Sequence, residues 1–216
     1  MNSSTVSKLE LLGRIAEMKR IYTVIDSSIK ESSCIVVASS TQGEGKSTLS
    51  AGIAIAASKV SGKKVLVVDF NWYAPTLHSI FEVKQADNMD FYTDDGPIER
   101  LVRHTYVKNL DVLPAPKANS GNSEAGIKAG NLQVADLLLK AKESYDVVVV
   151  DTAPAYPTNQ KMIDPLEICK SSDGVVIVTL TNVTLRQDLK RVCTAIETVG
   201  ANILGVVANH WQNPLF

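Results

Sequence analysis

The chain has 216 residues, room for one α/β domain with a substantial core. Hydrophobic residues make up 45% and charged residues 21%, the ordinary mix of a soluble globule. A net charge of −1 supplies no field for nucleic acid, and three scattered cysteines without a Cys-x-x-Cys pair argue against a disulfide scaffold or a zinc site.

Cys34 and Cys193 sit in apolar patterns, which suits buried thiols in a reducing cytosol. His78, His104 and His210 are too scattered for a metal site or a nucleophilic triad. No leader peptide opens the chain, and no apolar run approaches the length of a membrane span. The expectation is a single cytoplasmic domain over residues 1–216, reaching a membrane only through a partner.

Residues 6–30 read as an amphipathic helix. Leu11, Ile15, Met18, Tyr22, Ile25 and Ile29 alternate four and three apart and form one apolar stripe. The stripe has two readings: it covers the domain's own sheet, or it docks a neighbouring subunit and supports self-association. Cys34 to Ala38 is an apolar run that reads as a buried strand. Then come Ser39-Ser40-Thr41-Gln42-Gly43-Glu44-Gly45-Lys46-Ser47-Thr48 and the small-residue face of a helix over 46–60. Strand, glycine loop, Gly-Lys-Ser and helix is the context of a phosphate-binding P-loop. Its glycines turn backbone N–H groups inward around a phosphate, and the helix N-terminus adds free donors and a positive dipole end. Gln42 to Thr48 are therefore the candidate nucleotide-binding residues. Lys46 would reach the β- and γ-phosphates, and the Ser47 hydroxyl would ligate Mg²⁺. Ser40 stands where the Walker A pattern usually has its first glycine.

Ser61-Gly62 ends the helix. Lys64 to Asp69 reads as a second buried strand, covered on both faces in a parallel sheet. It delivers Asp69 to the carboxyl edge, where open α/β sheets place their sites. Asp69 is the candidate to orient a Mg²⁺-bound water or to take the proton of an attacking hydroxyl; the bland alternative is that it caps a loop. Asp94-Asp95-Gly96-Pro97 marks a turn, Ile98 to His104 a short helix and Leu110 to Leu113 a short strand. Lys117 to Gly130 reads as a mobile loop, and Leu132 to Ser144 as an amphipathic helix. Tyr145 to Pro154 carries four valines ending in Asp151, a Walker B pattern whose carboxylate would hold Mg²⁺. Strands over 174–179 and 203–209 flank a helix over 185–199. The alternation of β and α predicts an α/β P-loop NTPase, a mostly parallel sheet with helices on both faces.

Three patterns in order carry a resemblance: the loop Ser40–Thr48, the strand ending Asp69-Phe70-Asn71, and Asp151-Thr152-Ala153-Pro154. Together they resemble the bacterial tyrosine kinases (BY-kinases), cytoplasmic domains within the MinD/ParA-type deviant P-loop ATPases. The likeness covers nearly the whole chain. It implies that the strand ending in Asp69 lies beside the P-loop strand and that Asn209 lies near the adenine. It also implies ATP or ADP with Mg²⁺ as ligands, held by Ser47, Asp69 and Asp151, and phosphoryl transfer by Lys46, Asp69 and Asp151. The implied partner is a membrane-anchored polysaccharide chain-length or export protein.

Departures from the family pattern are equally plain. Asn71 replaces the second aspartate of the Walker A′ box, Tyr73 its arginine, and Thr23 the last arginine of the subunit-contact motif that Glu17 and Arg20 otherwise match. The six tyrosines are dispersed and none lies beyond Tyr156, which argues against autophosphorylation of a tyrosine-rich tail. The implied function is that of a tyrosine autokinase regulating exopolysaccharide synthesis or export. The alternatives are a MinD-like ATPase switch without kinase activity and a nucleotide-binding scaffold.

Overall fold

A computed structural model describes residues 16–29, 32–86, 96–117, 134–156 and 162–210. The expected start of the N-terminal helix before residue 16, the expected loop after Lys117, and the tail after His210 lie outside the described residues.

The valine-rich runs became strands buried on both faces, because each carries apolar side chains at odd and even positions alike. Seven strands form one sheet in the order β3-β4-β2-β5-β1-β6-β7. They are β1 (Ser33–Ala38), β2 (Val65–Asp69), β3 (Arg103–His104), β4 (Leu110–Leu113), β5 (Val147–Asp151), β6 (Gly174–Leu180) and β7 (Ile203–Asn209). All neighbouring pairs are parallel except β3 with β4. The expected short helix over 98–104 is instead one 3₁₀ turn, Ile98–Arg100, followed by β3. Ile98 and Leu101 are buried there, but the stretch turns back at once to pair with β4.

Two apolar layers enclose the sheet, and the strand pleat assigns them. Val36, Leu66, Val68, Val148, Val150, Val175 and Ile177 face one side. There they meet α4 (Val134–Ser144), α5 (Pro165–Lys170) and α6 (Arg186–Thr198). Ile35, Val37, Val65, Val67, Val147, Val149 and Val176 face the other, against α2 (Lys46–Val60) and α3 (Leu77–Ile80). The mostly parallel sheet with helices on both faces is as the sequence predicts.

Two expectations needed correction. β2 does not lie beside β1: β5 is inserted between them and pairs with both. A Walker B strand paired on each side places Asp151, not Asp69, next to the P-loop. The N-terminal helix, described here as α1 (Ala16–Ser28), does not cover the sheet directly. It packs on α2, one layer further out. Gly52 on α2 makes this contact close, since a Cβ there would lie 2.7 Å from Met18 Sδ.

Tyr22 anchors α1. Its ring is 1% exposed, and its hydroxyl donates to Asp26 Oδ1 at 2.9 Å. Lys63, past the end of α2, reaches the same oxygen at 2.5 Å, and that hydrogen bond holds the Asp26 carboxyl below its usual range. Both partners of the ion pair are partly exposed, so it adds little beyond orientation. Ring burial dominates. Tyr22→Ala is expected to lower folding stability by about 3 kcal/mol in chemical denaturation. A loss under about 1 kcal/mol would mean that α1 is not docked on α2.

Candidate functional site

β1 ends at Ala38 and α2 begins at Lys46, so the phosphate loop spans only Ser39 to Gly45. Two glycines carry its left-handed backbone, Gly43 at φ +86° and Gly45 at φ +101°. Gly45 also leaves no room for a side chain: a Cβ there would stand 2.5 Å from Asn209 Nδ2. No side chain caps α2 at Gly45, so the helix's first N–H groups are available to an anion. Gln42 and Gly43 are exposed at the mouth of the loop, and Thr48 is exposed on the first turn of α2.

Ser40 replaces the usual glycine without strain, because its φ is not in the left-handed region. Its hydroxyl lies 3.0 and 3.1 Å from the two carboxylate oxygens of Glu44. Glu44 is 1% exposed and also accepts from the Thr41 N–H at 2.7 Å and from the Thr184 hydroxyl. Its backbone carbonyl accepts from Asn209 Nδ2 at 3.1 Å. The segment after Asp151 braces the same loop: Ala155 and Tyr156 donate to the carbonyls of Ser39 and Ser40.

Lys46 is buried, and its Nζ donates to Ser39 Oγ at 2.8 Å. Burial pulls its pKa down, while the charges of Asp151 and Glu44 push it back up. Ser47 Oγ donates to Asp151 Oδ2 at 2.5 Å. Asp151 is wholly buried, and its other oxygen, Oδ1, has no hydrogen-bond partner among the described residues. Burial raises its pKa to about 6, against the opposing pull of the Ser47 hydroxyl and the Lys46 charge. An orphaned carboxylate oxygen beside a serine hydroxyl is a hard, oxygen-only donor set. It suits Mg²⁺, which keeps most of its waters and takes one or two protein ligands with phosphate oxygens.

Asp69 is the register partner of Asp151 on the neighbouring strand. Its Oδ1 accepts from the Asn71 N–H at 3.1 Å, and its Oδ2 from the Thr76 and Leu77 N–H groups at 3.2 and 3.1 Å. Burial, then the Asp151 charge, raises its pKa well above the carboxylate range, and the three N–H bonds oppose that. Its visible work is to hold the loop between β2 and α3. Asn71 is also buried there, with Nδ2 donating to the Ala74 carbonyl at 3.0 Å. Trp72 packs on the core edge-to-face with Phe70, whereas Tyr73 is 56% exposed.

The structure thus brings Lys46, Ser47, Asp151, Glu44, Gly45 and Asn209 together at one sheet edge, with Asp69 behind Asp151. Thr184 is the residue the sequence reading did not single out. Its bond to Glu44 spans 140 positions of chain, and a threonine just before a helix reads locally as a helix start. Ser39, the partner of Lys46, lacked any local signal as well.

Residues 32–205 match the protein family described as an AAA domain. The chain is 26% identical over 205 residues to the tyrosine-protein kinase CpsD of Streptococcus pneumoniae, covering 94% of this chain and 87% of that protein. The crystal structure of the chimerical protein CapA2B2 superposes with a TM-score of 0.73 at 27% identity, covering 93% of this chain and 86% of that one. The septum site-determining protein MinD of Pyrococcus horikoshii, complexed with Mg-ADP, superposes with a TM-score of 0.68 at 22% identity, covering 83% and 71%. The chain belongs to this AAA-domain family, on the P-loop NTPase fold shared by bacterial tyrosine-kinase domains and MinD-type ATPases.

Proposed function

We propose that the protein binds ATP with Mg²⁺ and transfers its γ-phosphoryl group in the manner of a bacterial tyrosine kinase serving exopolysaccharide synthesis or export. One observation carries the nucleotide reading. Asp151 has one oxygen held by Ser47 and the other buried without a partner among the described residues, on the strand next to that of Asp69 and within reach of the Lys46 charge. Ser47 and Asp151 would hold the metal, with Asp69 behind them. Bound there, Mg²⁺ would neutralise charge on the phosphates.

The chain's own residues divide the remaining work. Backbone N–H groups from Gln42 to Thr48 cradle the phosphates. Lys46 exchanges Ser39 Oγ for a phosphate oxygen at little cost, since a buried ammonium with one neutral partner gains from an anion. Asn209 borders the loop on the side assigned to the adenine. Asp69 already accepts three backbone N–H groups, one on Oδ1 and two on Oδ2, which leaves a single acceptor site on Oδ1 for an attacking hydroxyl. The likeness to CpsD supports a membrane-anchored polysaccharide chain-length or export protein as partner. No helix among the described residues is long and apolar enough to cross a membrane; the same likeness supports a site that works at the cytoplasmic face through that partner. Self-association through the apolar stripe of residues 6–30 is part of the same proposal.

A second reading, the ATPase switch, is favoured by Asn71. An amide cannot take a proton from an acceptor hydroxyl, and here its Nδ2 is occupied by the Ala74 carbonyl. Purified protein incubated with Mg²⁺ and γ-labelled ATP, beside Lys46→Met, separates the two. Label on tyrosine that Lys46→Met abolishes is the expected result. Free phosphate with unlabelled protein would establish the switch instead. Neither signal, with nucleotide still bound, would leave a scaffold.

The raised Asp151 pKa makes a second test that needs no partner. Folded Asp151 keeps its proton to about pH 6, whereas the ordinary value is 3.8. The folded state therefore binds more protons across that window, and stability falls as pH rises from about 4 to about 6. In metal- and nucleotide-free protein, Asp151→Asn is expected to make that fall smaller, with the raised Asp69 contributing the remainder, and to melt above the parent at pH 7. The same variant should bind ATP more than about tenfold more weakly in Mg²⁺. Equal pH profiles for the two proteins in thermal melts would show that Asp151 is not the buried acid.

A further inference from the structure

Glu44 poses an electrostatic problem. It lies inside the loop built to hold phosphates, two positions before Lys46, and its charge already acts on the Lys46 ammonium. A carboxylate free to swing there would pair with Lys46 and repel the phosphates. In the fold Lys46 is bonded to Ser39 instead, and both Glu44 oxygens are engaged by other donors. The Ser40 hydroxyl and the Thr41 N–H, both from the loop itself, supply part of that engagement. The only donor from another part of the fold among the described residues is the Thr184 hydroxyl.

Thr184 is itself held in place. Its hydroxyl accepts from the Leu180 N–H at 2.8 Å, and its own N–H donates to the Leu180 carbonyl at 2.9 Å. The turn from Leu180 to Thr184 passes through Asn182 in the left-handed region. The Thr181 N–H donates to the Asn209 carbonyl at 2.9 Å. Asn209 grips the Glu44 backbone in turn. The turn after β6 and the end of β7 therefore hold Glu44 by side chain and by main chain at once. Two residues separated from it by 140 and 165 positions converge on one loop residue.

We propose that Thr184 is a positioning residue for the nucleotide: its hydroxyl holds the Glu44 carboxylate away from Lys46 and so keeps the lysine available to the phosphates. The inference rests on the ATP site proposed above and adds to it a residue outside the P-loop that sets its affinity. Thr184 touches Glu44 and not the reacting atoms, so its effect belongs in binding and not in the rate of the bound complex.

The test is a double-mutant cycle read by ATP affinity in Mg²⁺. Thr184→Val removes the hydroxyl at nearly constant shape; Thr184→Ser restores it. In the parent background Thr184→Val is expected to weaken ATP binding about tenfold, with the single-turnover rate of bound ATP unchanged, and Thr184→Ser to recover most of the loss. In a Glu44→Gln background, where no carboxylate competes for Lys46, Thr184→Val should cost less than about twofold. The lost Leu180 bond is common to both backgrounds and cancels. An equal loss in both would overturn the proposal and leave Thr184 as a turn residue only. So would unchanged affinity in Thr184→Val, or a loss confined to the rate. If Thr184→Val does not fold, Thr184→Ala carries the same comparison. A parent chain that binds no ATP would overturn the nucleotide reading itself, and this inference with it.

Discussion

Asp151 stands on the strand inserted between β1 and β2, wholly buried, bonded to Ser47 and register-matched to Asp69. Two carboxylates this close and this dry resist ionising, and burial is the larger cause in each. The fold holds them there because each is bound into something else. Asp69 takes three backbone N–H groups, and Asp151 takes a hydroxyl and lies near an ammonium. What is left over is one buried oxygen of Asp151, without a hydrogen-bond partner among the described residues. A cation at that oxygen would relieve the electrostatic cost of the whole arrangement.

The rest of the structure keeps that oxygen where it is. Five parallel pairings fix the strand order, and apolar layers on both faces fix the sheet between helices. Thr152 Oγ1 ties the residue after Asp151 to the Val37 carbonyl, and Ala155 and Tyr156 tie the next turn to Ser39 and Ser40. The P-loop is therefore not a free flap of glycines. It is clamped on one side by the chain leaving β5 and on the other by Thr184 and Asn209.

Much of this was legible in the sequence, for a local reason. Runs such as Val147 to Asp151 and Val65 to Asp69 announce buried strands that end in carboxylates, and Gly43 to Thr48 announces its backbone shape. What could not be read was long-range. Nothing local tells whether β2 or β5 neighbours β1, because both are equally apolar and both end in aspartate. The order decides which aspartate meets Ser47. Likewise Ser40 looks like a defect in a glycine loop until Glu44 is seen beside it, and Thr184 looks like a helix start until the loop folds onto it. The 3₁₀ turn at Ile98–Arg100 escaped for another reason: two buried apolar residues suffice for one turn, and the same spacing also fits a helix.

Asn71 separates the readings of the site only at one step. Transfer of a phosphoryl group passes through a loose transition state that asks more of positioning and charge than of proton removal. The groups that supply positioning and charge, Lys46, Ser47, Asp151 and the loop amides, are all assembled at the edge of the sheet. An asparagine at position 71 offers no base but leaves those groups untouched, and its Nδ2 donates to the Ala74 carbonyl, shaping the loop that Asp69 holds. A kinase and an ATPase switch built on this chain would thus share one nucleotide site. They would differ in what is presented to the phosphate: an ordered tyrosine hydroxyl, or water. The loop from Asn71 to Leu77, held by Asp69, presents exposed Tyr73 two residues beyond the buried amide.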